Sequence, residues 1–246
     1  MNNLIKIVFN NYCGENSRLT SGWGFSAWIN FSNKNILFDT GADGNVLLKN
    51  MREMNLNPGE LDLIFISHVH SDHTGGLSSL IKKIRPGIPV YIPEADSNAI
   101  TKQIPEMHFA GVKSFAELER NIWTTGSLKG IYKGNEISEQ SLILKCSQSL
   151  LIVTGCSHPG IENIADAAKR IFPETCIDLI AGGFHLMMHK DSEYINCSLA
   201  LKNYRVMNIA PSHCITTNGT EIFRNEWQTN FIELYLGGTY KIISDL

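Results

Sequence analysis

The sequence predicts an α/β domain with mixed sheets and helices packed outside them, and three observations carry that prediction. Short apolar runs alternate along the chain with segments whose apolar residues recur at helical spacing. The polar, histidine-bearing stretches follow directly after the buried-strand runs, where open sheets place their sites. No Pro/Ser-rich linker, repeat or low-complexity segment divides the chain, so residues 1–246 are read as a single domain. With 246 residues, 43% of them hydrophobic, the chain is long enough to bury a core without disulfides or metal.

Taken in order, residues 5–9, 25–31 and 35–38 read as short strands, with Ser32-Asn33-Lys34-Asn35 as the hairpin turn between the last two. Residues 46–54 carry apolar side chains at 47, 48, 51 and 54, the helical spacing, and stop before Asn57-Pro58-Gly59. Residues 61–66 form a buried strand that runs into a polar loop, 67–76. A second helix is expected over 77–84 and a strand over 90–92. From 93 to 138 the pattern weakens, and the prolines and glycines there predict loops with one or two short helices. Strands resume at 141–145 and 150–154. Helix 161–172, strand 177–181, helix 194–204 and strand 206–210 follow, with a final helix and strand after Asn225.

Composition excludes several classes. A formal net charge of −3 with no run of Lys or Arg provides no basic face for nucleic acid. No apolar run approaches the roughly 18 residues that a membrane span needs. The lysine inside the first apolar run makes that segment a strand rather than an export signal. Six scattered cysteines without a Cys-x-x-Cys pair argue against a disulfide framework, so a reducing, cytoplasmic setting is expected.

The chemistry concentrates in His68-Val69-His70-Ser71-Asp72-His73, four potential metal ligands within six positions, between a buried strand and Gly75-Gly76. His68 and His70 alternate and share a direction in an extended chain. Asp72 and His73 are adjacent and do not, so the chain must turn and serve two neighbouring sites. Imidazoles with one carboxylate suit zinc first, with iron or manganese as alternatives, rather than calcium or magnesium.

These residues resemble the signature of the metallo-β-lactamase superfamily. Leu37-Phe38-Asp39-Thr40-Gly41, Gly155-Cys156-Ser157-His158-Pro159-Gly160, Gly182-Gly183-Phe184-His185-Leu186 and Ser212-His213-Cys214 extend the resemblance over nearly the whole chain. Together with Gly22-Trp23-Gly24-Phe25-Ser26 they are similar to the branch labelled dihydropterin ribofuranosylaminobenzene phosphate synthase. The resemblance implies a four-layer αββα sandwich of two mixed β-sheets with helices on the outer faces. It implies His68, His70 and His158 at a first metal, and Asp72, His73 and His213 at a second, with Asp39 supporting the loop from behind. Three features depart from the pattern. Gly155-Cys156 stands where many members have Gly-Asp with a bridging aspartate, and whether the sulfur ligates in its place is left open. No histidine lies at Thr124-Thr125-Gly126. Ile215-Thr216-Thr217-Asn218 replaces the branch's Thr-Gly.

The expected function is metal-dependent hydrolysis or group transfer on a small, phosphorylated or heterocyclic substrate. One or two divalent transition ions would activate a water, with Asp72 orienting it and His185 contacting the substrate or donating a proton. Trp23, between two glycines, is a candidate to stack on a flat ring or to pack, and His108 and His189 read as surface residues. The alternatives are a metal-binding regulatory or ligand-binding protein of the same fold, or a nuclease-type phosphodiesterase. A homo-oligomer is compatible with the sequence.

Overall fold

The computed structural model describes residues 3–14 and 18–243. The first half contains β1 (Leu4–Phe9), β2 (Ser26–Phe31), β3 (Lys34–Phe38), α1 (Gly44–Glu53), β4 (Leu63–Phe65), the short helices α2 (Ser71–Thr74) and α3 (Leu77–Leu80), β5 (Pro89–Pro93), α4 (Glu94–Gln103) and β6 (His108–Val112). The second half contains β7 (Ser114–Glu119), β8 (Ile122–Gly126), β9 (Leu128–Tyr132), β10 (Asn135–Glu139), β11 (Leu142–Lys145), β12 (Ser149–Thr154), α5 (Ile161–Ile171), β13 (Cys176–Gly183), α6 (Asp191–Asn203), β14 (Val206–Ser212), α7 (Thr217–Trp227) and β15 (Thr239–Lys241).

The strands form a seven-stranded sheet, β15-β1-β2-β3-β4-β5-β6, and a six-stranded sheet, β14-β13-β12-β11-β8-β7. A separate hairpin consists of β9 and β10. Both sheets are mixed. In the first, β3 to β6 run parallel and β1 to β3 antiparallel. In the second, β12, β13 and β14 run parallel and the other pairs antiparallel.

Alternation along the strands builds the layers. Ile36, Phe38, Leu63 and Phe65 point into the space between the sheets and meet Leu142, Leu151, Val153 and Ala181 from the other side. Leu37 and Ile64, one residue out of phase, face Leu47 and Met51 of α1 and Leu77 and Leu80 of α3. On the far side, Ile152 and Ile180 pack against Ile161, Ile164, Ala165 and Ala168, the apolar stripe of α5, and against Leu201 and Phe223. The result is the four-layer αββα sandwich that the resemblance implies.

Three expectations change. Between 93 and 138 lie one helix and five strands rather than loops. The edge strand β6 and the outer strands β7, β9 and β10 are largely exposed, so they lack the buried apolar runs that announce a strand. The helix expected over 77–84 is regular only over Leu77–Leu80 and continues as turns before Pro86. The last helix, α7, starts at Thr217 and contains Asn225 rather than following it, because Thr216 caps it by accepting the Gly219 N–H. No helix of the described residues is long and apolar enough to cross a membrane, and all six cysteines are free.

Candidate metal centre

The parallel strands set the stage. Phe38 pairs with Phe65, so Asp39 and Ser67 leave the first sheet side by side. Thr154, Gly182 and Pro211 are in register across β12, β13 and β14, so the loops carrying Cys156 and His158, His185 and His213 leave the second sheet together. At Gly155 the two sheets meet closely, since a Cβ there would lie 2.1 Å from Ser67 Oγ. Four residues of these loops, Asp39, Ser157, His185 and His213, hold left-handed backbone, with φ of 51°, 64°, 50° and 60°. Such strain concentrates where the surroundings fix a functional geometry.

The fully buried Asp39 carboxylate organises the first loop. Ser67 N–H donates to its Oδ1 at 2.7 Å, and Ser67 Oγ and His73 Nδ1 each reach its Oδ2 at 2.7 Å. Burial pushes this carboxyl up, against the three donors that favour its ionised form. Burial opposes protonation of His73, but Asp39 outweighs it and raises that imidazole. Because the Ser67 hydroxyl gives its only proton to Asp39, its oxygen accepts from His68 Nδ1 at 2.8 Å. In the second loop system, Asn11 Oδ1 accepts the Gly24 N–H at 3.0 Å and so must also accept from His213 Nδ1, at 2.9 Å. With a single proton each, held on Nδ1, His68, His73 and His213 would all turn an Nε2 lone pair inward.

Two groups of donors result. His68 Nε2 and His158 Nε2 lie 3.2 and 3.3 Å from His70 Nδ1. Asp72 Oδ2 lies 3.2 Å from His213 Nε2 and 3.8 Å from His73 Nε2. In each trio the ligand atoms fall within 4.8 Å of one another. Burial together with the other imidazoles depresses His68 and His70, and holds His158 down at about 3, so the first trio is neutral near pH 7. Burial would raise the Asp72 carboxyl, but His213 and His73 hold it well below the usual range. Cys156 Sγ stands 3.3 Å from His73 Nε2, and the Cys214 sulfur beside it together with burial pushes its thiol up.

These donors fit a metal. Three imidazole nitrogens held tetrahedrally by one zinc at roughly 2.0–2.1 Å are about 3.3 Å apart, against the 3.2 and 3.3 Å found here. His70 Nδ1 carries one proton at most and faces two inward nitrogens. His213 Nε2 and the Asp72 carboxylate face each other at 3.2 Å, acceptor against acceptor whenever the only imidazole proton is the one given to Asn11. A cation satisfies both arrangements, which otherwise set lone pair against lone pair.

His185 lies at the side of this row, its ring 4.2 Å from that of His158 and its N–H 3.1 Å from Cys214 Sγ. The Cys214 sulfur raises its imidazole. Trp23 sits 4.9 Å from the His213 ring and is half-exposed. A pocket of about 220 Å³ opens over the donors, lined by Trp23, His70, Ser71, Asp72, Tyr132, Cys156, His158, His185, His213 and Cys214. Thr124 and Thr125 lie outside it, bonded to Gln140 and to Gly126. His108 and His189 are exposed, and His189 pairs with Glu193 at 3.0 Å.

Sequence reasoning missed Glu139. Its buried carboxylate accepts the backbone N–H groups of Cys156, Ser157 and His158 at 2.9, 2.8 and 2.8 Å, and so fixes the whole loop. It also missed Asn11 and Tyr132. None of the three stands in a recognisable pattern, and only the fold brings them to the site.

A model of the Metallo-beta-lactamase superfamily matches residues 24–140. The chain is 30% identical to the 7,8-dihydropterin-6-methyl-4-(beta-D-ribofuranosyl)-aminobenzene-5'-phosphate synthase of Methanocaldococcus jannaschii, over 94% of this chain and 93% of that one. Among solved structures, a metal-dependent hydrolase of the beta-lactamase superfamily, Tm1679, superposes with a TM-score of 0.80 at 25% identity, covering 99% of this chain and 100% of that one. The metallo-beta-lactamase fold protein YhfI from Bacillus subtilis superposes with a TM-score of 0.66 at 13% identity, over 97% and 99% of the two chains.

Proposed function

The chain belongs to the metallo-beta-lactamase superfamily, and from that premise we propose that it is a metal-dependent hydrolase or group-transfer enzyme acting on a small, phosphorylated or heterocyclic substrate. The observation that carries this reading is the convergence of inward-turned imidazole lone pairs with the Asp72 carboxylate beneath one pocket. The substrate class draws on the Methanocaldococcus relative, whose name joins a dihydropterin to an aminobenzene phosphate.

His68, His70 and His158 would hold one divalent ion and Asp72, His73 and His213 a second, zinc being the first candidate, and Cys156 Sγ, beside His73, would be a further donor. Bound there, the ions lower the pKa of water from 15.7 to roughly 7 and neutralise charge developing on the attacked group. Asp72, ionised and partly open to the pocket, orients the attacking water through its carboxylate and is in place to receive its proton. His185, at the pocket edge, where the Cys214 sulfur raises its imidazole, would be the proton donor to a leaving group. Asp39 and Glu139 move no proton, and serve to hold His73 and the His158 loop in place.

The test combines elemental analysis of protein purified without added metal with turnover of p-nitrophenyl phosphate, bis-p-nitrophenyl phosphate and p-nitrophenyl acetate. One to two metal equivalents with metal-dependent cleavage are expected, the cleavage lost and the metal content lowered in a folded His70→Ala protein. Unchanged turnover in that variant would refute the proposal.

A further inference from the structure

The hairpin of β9 and β10 belongs to neither large sheet, yet it is fixed on the donor row at both strands. A Cβ at Gly130 would lie 2.5–2.7 Å from the backbone and Cβ of His158, so β9 runs directly against that histidine. β10 ends at Glu139, whose carboxylate holds the loop from Cys156 to His158. Its two-residue tip, Lys133-Gly134, has positive φ at both positions, 49° and 80°, the tight turn that keeps two twisted strands in register. The tip is thus built rigidly onto the ligands rather than left as a loose loop.

That tip presents two side chains to the site. The Tyr132 ring lies 4.5 Å from His70, 5.3 Å from His158 and 6.0 Å from His185. Lys133 Nζ lies 5.1 Å from the Tyr132 ring centroid, whereas Lys129 on the same hairpin is paired with Glu136. Among the described residues Lys133 makes no ion pair with a carboxylate. At the other end of the donor row stands the half-exposed Trp23, against His213. One pocket therefore has donor groups along its floor and an aromatic ring at each end, with the Lys133 ammonium beside the Tyr132 ring.

We propose that Tyr132 and Lys133 are the specificity-determining residues of this site. A planar aromatic part of the substrate packs between Tyr132 and Trp23, and Lys133 attracts its anionic group. This inference rests on the reading of the site given above and names what that site selects. An aromatic contact of this kind favours an aromatic over a saturated ring of similar size by about 3- to 10-fold.

Titration calorimetry of the zinc-loaded protein with phenyl phosphate, cyclohexyl phosphate and inorganic phosphate tests it, with metal content measured on the same samples. The wild type should bind phenyl phosphate about 3- to 10-fold tighter than cyclohexyl phosphate. Tyr132→Ala should bring that ratio to near one, Tyr132→Phe should keep it, and Lys133→Ala should weaken both esters alike and flatten their salt dependence. All three variants should retain the wild-type metal content, since none removes a donor. Equal binding of the two esters by the wild type, or a preference that survives Tyr132→Ala, overturns the inference. Absence of bound zinc in the wild type instead overturns the metal-enzyme reading, and the phenyl preference is read in either case.

Discussion

The two sheets supply the site in opposite ways. The seven-stranded sheet offers His68, His70, Asp72 and His73 within one short stretch, and the six-stranded sheet offers His158, His185 and His213 from three separate strand ends. Each side is fixed by one fully buried carboxylate, but the two act on different parts of the chain. Asp39 bonds side chains and sets which nitrogen of His73 and, through Ser67, of His68 faces the centre. Glu139 bonds three successive backbone N–H groups and sets where the loop itself runs. Donors close in sequence need their rings oriented, whereas donors remote in sequence need their backbone delivered.

The largest effect should come from the donors. His70→Ala should reduce turnover of p-nitrophenyl phosphates by roughly 10³-fold or more, the several kcal/mol that a bound ion's charge supplies. Equal losses from His70→Ala on one side and His213→Ala on the other would sharpen the comparison by making the two sheets' contributions equivalent. Next, Asp39→Ala should destabilise the protein by about 3–5 kcal/mol in urea melts, because it leaves His73 and Ser67 buried without their partner. Asp39→Asn should cost less. Glu139→Ala should cost about 2–3 kcal/mol, since water cannot easily replace the acceptor of three buried N–H groups. The two losses should divide the metal: Asp39→Ala should lower occupancy mainly at the ion held by His73, and Glu139→Ala at the ion held by His158. Indistinguishable metal content in the two variants would break the contrast. The smallest change in stability is expected for Cys156→Ser, within about 1 kcal/mol. In the cobalt-substituted protein, however, it should abolish near-ultraviolet thiolate absorption, and persistence of that absorption would remove Cys156 from the donor set.

Much of this was legible before any coordinates. The strand 150–154 shows as an apolar run because both its faces are buried, one between the sheets and one under helices. The stretch from His68 to His73 shows because packing cannot account for four potential ligands in six positions. The hairpin carrying Tyr132 did not show, since its strands bury too little to imprint a pattern. Glu139 did not show because its partners are backbone amides, which carry no sequence signature.

The sequence by itself determined the alternation of strands and helices and set four candidate donors in one short stretch, since both are written in local periodicity and spacing. Only the tertiary structure decided which nitrogens face the centre, how His158 and His213 reach it and what stands over the pocket. Those outcomes depend on strand register and on buried hydrogen bonds between residues as far apart as Asn11 and His213, whose geometry exists only once the two sheets have packed.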